Sequence, residues 1–181
     1  MKKITFIGLG VMGFPMAGHL SKEGYNVTVY NRSEEKSKLW IKNNIGTYST
    51  SIKEAVSDSD IVFSCVGNDT DLREITLGTD KAFSSMKPGS VFIDHTTTSS
   101  DIAIELFKKA KELDIHFLDA PVSGGEVGAV KGELTVMIGG ENSIFEKIKS
   151  IIAAYAKNIT LIGGPGTVSY THLTLPKSPK V

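Results

Sequence analysis

Short apolar runs alternate along the chain with longer segments in which apolar residues return every three or four positions. The runs read as buried strands, and the longer segments as helices with one covered face. Residues 3–7, Lys-Ile-Thr-Phe-Ile, form the first run. A helix is predicted over about 12–23, with Met12, Met16, Ala17 and Leu20 on one face and Gly24 as its stop. The β-branched and aromatic run 26–30 is a second strand. Ser33 stands as N-cap of a helix over about 34–44 that stops near Gly46. Ser51-Ile52-Lys53-Glu54 fits a capping box and opens a short helix to about 57. The unbroken run 61–66 is a strand, followed by a helix over 69–77 with Asp69 as its N-cap and Gly78 at its end. Lys87-Pro88-Gly89 turns the chain into a strand over 90–94. Helix 100–113 aligns Ile102, Leu106, Ala110 and Leu113. A strand over 115–118, a glycine-rich loop over 120–132, a strand over 134–138, a helix over 142–156 and a strand over 158–162 complete the series. This alternation predicts an α/β fold with a doubly wound, mainly parallel sheet.

The turn after the first strand gives that architecture a chemical direction. Gly8-Leu9-Gly10-Val11-Met12-Gly13 is a G-x-G-x-x-G sequence between a strand and a helix, the context in which it works as a Rossmann-like dinucleotide turn. Gly8 permits the tight turn, Gly10 lets a pyrophosphate approach the backbone, and Gly13 lets the helix pack close. The helix N-terminus then offers free N–H groups to phosphate. The competing possibility is a glycine turn with no ligand.

Ligands of open parallel sheets sit beyond the C-terminal strand ends. The second strand ends in Asn31-Arg32-Ser33, with no Asp or Glu to accept a ribose 2′-hydroxyl. Arg32 can clamp a phosphate where a carboxylate would repel it, so NADP(H) is preferred and NAD(H) is possible. The alternative is a solvated surface arginine. Val66-Gly67 allows close passage of a ribose or nicotinamide arm. Asp94-His95-Thr96-Thr97 offers hydroxyls to the nicotinamide side. His95 can be an acid or base, or a histidine that merely lines the loop. Asp119-Ala120-Pro121-Val122-Ser123-Gly124-Gly125 either presents a hydroxyl and backbone N–H groups to a carboxylate or makes a structural glycine turn.

Composition narrows the partners. The 181 residues carry a formal net charge of zero, which gives no electrostatic case for nucleic acid or an anionic membrane. No apolar run is long enough to span a bilayer, and the run after Lys2 and Lys3 breaks at Gly8, unlike a signal peptide. A cytoplasmic location is expected. The single cysteine, Cys65, is expected in the core.

Together these segments resemble the β-hydroxyacid dehydrogenase family, which includes 3-hydroxyisobutyrate dehydrogenases, tartronate semialdehyde reductases and glyoxylate/succinic semialdehyde reductases. The resemblance rests on Gly8 through Ala17, on Asp119 through Gly125 with Gly132, Leu134-Thr135 and Gly139-Gly140, and it covers residues 1 to about 167. It implies cofactor contacts at Gly8 to Gly13, Asn31, Arg32, Ser33, Val66, Gly67 and Thr97. It implies substrate contacts at Ser123, Gly124 and Gly125, to a small hydroxy acid or semialdehyde, and no metal. It also implies a proton-donating Lys one turn into a helix opened by Gly163-Gly164-Pro165-Gly166-Thr167, with an Asn four residues later. By register those positions hold His172 and Pro176, and Pro176 would break the helix.

The run from Val168 to Pro176 resembles a translated transposase adapter from sequencing-library preparation, with an ordinary disordered terminus as the alternative. The expectation is therefore a cofactor-binding domain over 1–167 and a non-native or disordered tail over 168–181. The helical second domain, which in the family closes the site and builds a homo-oligomer, is expected to be missing. The parent is expected to be an NAD(P)-dependent oxidoreductase of a small β-hydroxy acid and its semialdehyde. A non-catalytic NADP-binding fragment and an imine-reductase-like enzyme are the rivals.

Overall fold

The computed structural model describes residues 1–168, so His172, Pro176 and all of the expected tail except Val168 lie outside the described residues. Val168 itself is buried. The elements follow in the order β1 (Lys3–Ile7), α1 (Gly13–Lys22), β2 (Asn26–Tyr30), α2 (Glu34–Asn43), β3 (Thr47–Tyr48), α3 (Ile52–Val56), β4 (Ile61–Ser64), α4 (Asp69–Thr76), α5 (Ala82–Ser85), β5 (Val91–Asp94), α6 (Ser100–Glu112), β6 (His116–Asp119), β7 (Val122–Ser123), α7 (Gly125–Lys131), β8 (Leu134–Gly139), α8 (Asn142–Ile152) and β9 (Ala156–Gly163).

The strand order is β3-β2-β1-β4-β5-β6-β8-β7, with β9 paired to β8. The first six strands named run parallel. Strand β8 turns antiparallel to β6 and β7, and β9 runs parallel to β8. The chain thus winds outward in both directions from β1 and β4, and this adjacency is the switch point where such sheets hold ligands. Each face buries its own apolar layer. One centres on Met16, Leu20, Trp40, Ile148 and Tyr155. The other centres on Val62, Leu72, Phe83, Phe92 and Leu106.

Several local expectations need correction. The run 61–66 leaves the ladder after Ser64, because Cys65 and Val66 turn toward the switch point. The N-cap of α4 is Asn68, whose Oδ1 accepts the Asp71 N–H at 2.9 Å. Asp69 instead bridges to α6 by accepting the Ser99 N–H at 3.0 Å. The loop over 120–132 contains β7 and the helix α7. Helix α8 ends at Ile152, which frees Tyr155 to point into the core. Ser33 occupies the N-cap position of α2 without a side-chain cap bond. Ser51 caps α3 as expected, accepting the Glu54 N–H at 3.3 Å, but the Ser51 N–H is taken by Ser49 Oγ at 3.1 Å.

Candidate functional site

A cavity of about 420 Å3 opens at the ends of β1, β2 and β4. Its floor is the glycine turn. Gly8 has φ +99°, and a Cβ there would strike the Cys65 carbonyl. A Cβ on Gly13 would strike the Gly8 carbonyl, so both glycines are required by close packing of turn, strand and helix. Gly10 differs: a Cβ there would meet nothing within 4 Å. The space over Gly10 is open.

Helix α1 begins at this opening without a cap, since Met12 at its N-cap makes no side-chain bond. The Gly8 N–H donates to the Tyr30 carbonyl at 2.9 Å and the Leu9 N–H to Asn31 Oδ1 at 2.9 Å. Among the described residues, no acceptor takes the N–H groups of Gly10, Val11, Met12 or Gly13. Uncompensated amides at a helix N-terminus, with open space above a glycine, fit a phosphate group.

The cavity gathers Gly8, Gly10, Met12 and Gly13 with Asn31, Arg32, Ser33, Val66 and Gly67. Leu9 is buried behind the turn, and Val11 projects into solvent. Asn31 is both tie and wall, its Nδ2 donating to the Ser33 carbonyl at 3.0 Å while its Oδ1 holds Leu9. Thr97 is exposed and does not line the cavity. Its neighbour Thr96 accepts the Val66 N–H at 3.0 Å, which fixes the exit of β4. Ser123, Gly124 and Gly125 lie outside the cavity, exposed, just beyond the end of β6. Gly124 and Gly125 have φ +127° and +61°, the left-handed side that glycine permits.

Several lining residues carry no signal that strand and helix periodicity could read. Lys36 joins Arg32 from the first turn of α2, and Lys81 faces them from the start of α5. Asp71 and Glu74 reach the cavity from α4. The spacing of Lys36, three residues after Ser33 at the helix start, is the one hint in the sequence. Cys65, expected in the core, is half-buried and lines the cavity, and burial pushes its thiol up to about 12.

His95 stands apart from this chemistry. It is buried, its ring stacked on Phe63 with centroids 5.7 Å apart. Its Nδ1 lies 2.6 Å from the Ala120 carbonyl and its Nε2 2.6 Å from the Tyr155 hydroxyl. A carbonyl only accepts, so Nδ1 carries the hydrogen and Nε2 accepts from Tyr155. Burial lowers its pKa to about 4, and it is a satisfied, neutral core histidine. Asp94 is buried nearby. It accepts the Ser64 hydroxyl at 2.7 Å and the Thr96 N–H at 3.1 Å, and desolvation raises its pKa to about 7.

Comparison with known proteins accords with this geometry. Residues 3–163 match the family described as the NAD binding domain of 6-phosphogluconate dehydrogenase. An uncharacterized oxidoreductase of Shewanella frigidimarina is 48% identical over 173 residues, covering 96% of this chain and 60% of that protein. The 2-hydroxy-3-oxopropionate reductase of Escherichia coli is 34% identical, covering 91% of this chain and 56% of that one. The structure of Mycobacterium tuberculosis 3-hydroxyisobutyrate dehydrogenase with L-serine superposes with a TM-score of 0.90 at 29% identity, over 96% of this chain and 58% of that one. The chain therefore spans about three fifths of the length of these relatives. Among the described residues no helix is long and apolar enough to cross a membrane. The chain belongs to the NAD-binding-domain family of 6-phosphogluconate dehydrogenase, among the 3-hydroxyisobutyrate dehydrogenase-like oxidoreductases, and matches their N-terminal cofactor domain.

Proposed function

We propose that the cavity at the β1–β4 switch point binds NADP(H) in preference to NAD(H), and that residues 1–167 are the cofactor domain of an enzyme interconverting a small β-hydroxy acid and its semialdehyde. The observation that carries this is the open, uncapped N-terminus of α1 beside Arg32 and Lys36, with no acid at the end of β2. The bound dinucleotide would supply the hydride chemistry. The amides of Gly10 to Gly13 would hold its pyrophosphate, Arg32, Ser33 and Lys36 its 2′-phosphate, and Val66 and Gly67 its extended arm. Thr97 would approach the nicotinamide side. Ser123, Gly124 and Gly125 would take the carboxylate of the substrate. The parent protein would work as a homo-oligomer in the cytoplasm. Titration of the chain with NADPH and NADH, followed by fluorescence, tests the cofactor assignment. Tighter NADPH binding is expected, and equal affinity or an NADH preference overturns it.

For the 181-residue chain taken alone we propose cofactor binding without turnover. Two observations favour it. The buried histidine His95 has both ring nitrogens engaged and is held neutral. The family resemblance assigns proton donation to a Lys, and this sequence has His172 in its register. General acid catalysis contributes about 10² to 10⁴ in rate. The chain should show no reduction of glyoxylate, succinic semialdehyde or tartronate semialdehyde with NADPH. Turnover that disappears in His172→Ala or His95→Ala would show that a histidine delivers the proton.

A further inference from the structure

The acid that β2 lacks is supplied across the cavity. Asp71 Oδ1 lies 3.7 Å from Arg32 Nη1, and both side chains line the same space. The two are unequal partners. The Arg32 side chain is 83% exposed, that of Asp71 only 27%. Asp71 sits in the first turn of α4, where the helix dipole favours a carboxylate, and its N–H is held by Asn68. Its carboxylate packs over Gly67, where a Cβ would stand 2.5 Å from Oδ2. Asp71 is the more buried charge, anchored at a helix start, and Arg32 the exposed one that reaches to it.

We propose that Asp71 is a specificity-determining residue that narrows the discrimination between NADP(H) and NAD(H). The proposal rests on the cavity being the dinucleotide site. A 2′-phosphate drawn to Arg32 must come close to the Asp71 carboxylate and compete with it for the guanidinium. A 2′-hydroxyl instead can donate a hydrogen bond to that carboxylate while Arg32 stays paired. Asp71 therefore acts with opposite sign on the two cofactors, and the site keeps measurable NAD(H) binding despite its cations.

Fluorescence titrations of the 181-residue chain with NADPH and NADH test this in the wild type, Asp71→Asn and Asp71→Ser, with Glu74→Gln as the control acid of the same cavity. Removing one charge roughly 6 Å from a phosphate dianion in a water-like dielectric is worth about tenfold in affinity. The ratio of NADPH to NADH affinity should rise about tenfold in both Asp71 variants and by clearly less in Glu74→Gln. Added salt should shrink the difference. An unchanged ratio in the Asp71 variants, or an equal rise in Glu74→Gln, overturns the role of Asp71 while leaving the dinucleotide site intact. A wild-type chain that binds neither cofactor overturns the site assignment and this role with it. The second Asp71 variant covers the case in which the first does not fold.

Discussion

Asp119, the last residue of β6, accepts the Gly166 N–H at 2.9 Å across 47 residues of sequence. The carboxylate is buried, and among the described residues its Oδ2 has no partner. Gly139 makes room for this contact, since a Cβ there would stand 2.7 Å from Asp119 Oδ1 and 2.8 Å from the Gly164 carbonyl. The bond ties the end of the parallel sheet to the turn that follows β9. Near pH 4.5, below the folded pKa of about 6 at which Asp119 would ionise, Asp119→Ala leaves the Gly166 N–H unpaired and should lower stability by about 1–3 kcal/mol. Asp119→Asn keeps an acceptor and should cost less. Urea denaturation measures both, and an alanine variant as stable as the wild type would show that the contact contributes nothing.

The His95–Tyr155 pair predicts a spectroscopic silence. With Nδ1–H on the Ala120 carbonyl and Nε2 accepting from Tyr155, the imidazole has no vacant nitrogen for a proton. In a histidine NMR titration its resonances should stay unmoved from pH 8 to about pH 5, whereas an exposed histidine titrates near 6.5. Tyr155→Phe removes the donor and should cost about 1–3 kcal/mol in stability through the orphaned Nε2. A His95 midpoint above pH 6 in the wild type would contradict the burial and bonding described above.

Three buried groups set a pH dependence whose sign is unusual. Burial raises Asp94 to about 7 and Asp119 to about 6, from 3.8. Each keeps its proton in the folded chain after the unfolded chain has released it. Their contribution is complete below the unfolded pKa and is lost as pH rises through the folded one. His95 is lowered to about 4 from 6.5, so it costs stability as pH falls through that interval. Two acids outweigh one histidine. Stability should therefore fall between about pH 4.5 and 6, by about 1.4 kcal/mol per pH unit for one net proton. In Asp94→Asn the slope should flatten. Denaturation midpoints measured across that range decide it, and a wild-type stability that climbs with pH would refute the assignment.

Arg32 offers the direct test of the 2′-phosphate contact. Arg32→Asp replaces the clamp with a repelling charge and should weaken NADPH by at least about 1.5 kcal/mol, the lower end for a hydrogen bond to a charged group. NADH affinity should change much less. An unaltered NADPH affinity would place the phosphate elsewhere.

The strands and longer helices are legible because the apolar runs of β1, β4, β5 and β6 map to buried strands and the three-to-four periods to covered helix faces, although β9 is largely exposed and Leu113, aligned with Ile102, Leu106 and Ala110, stays in solvent. Helix α7 is not legible. Gly124, Gly125 and Gly128 read as loop residues, and the helix exists because tertiary contacts outweigh that propensity. His19 Nε2 lies 2.9 Å from the Ala129 carbonyl and 3.0 Å from that of Val130, at the helix end, and a Cβ on Gly128 would crowd Leu134 at 3.2 Å. Two-residue β3 and β7 are too short to carry alternation. At the site, the glycine turn and Asn31 to Ser33 were readable because they adjoin strand ends in sequence. Asp71 and Glu74 were not, because they meet Arg32 only through the strand order that sets β4 beside β1 and brings α4 to the β2 exit. The Asp119–Gly166 contact likewise depends on β9 returning beside β8.

Two glycines of one turn should separate binding from folding. Gly10 has open space where a side chain would go, so Gly10→Val should leave circular dichroism and denaturation midpoint close to wild type. Its side chain would fill the path by which a pyrophosphate reaches the α1 amides, and dinucleotide binding should be lost. Gly13 is the reverse. A Cβ there collides with the Gly8 carbonyl and stands 3.0 Å from Phe6 Cε1, both rigid parts of the β1–α1 packing. Gly13→Ala should therefore destabilise the fold by about 1–3 kcal/mol. Measured together by urea denaturation and NADPH titration, the pair gives opposite profiles if the turn is both packing joint and phosphate cradle. A folded Gly10→Val chain that still binds NADPH at wild-type affinity would show that the phosphates lie away from this turn.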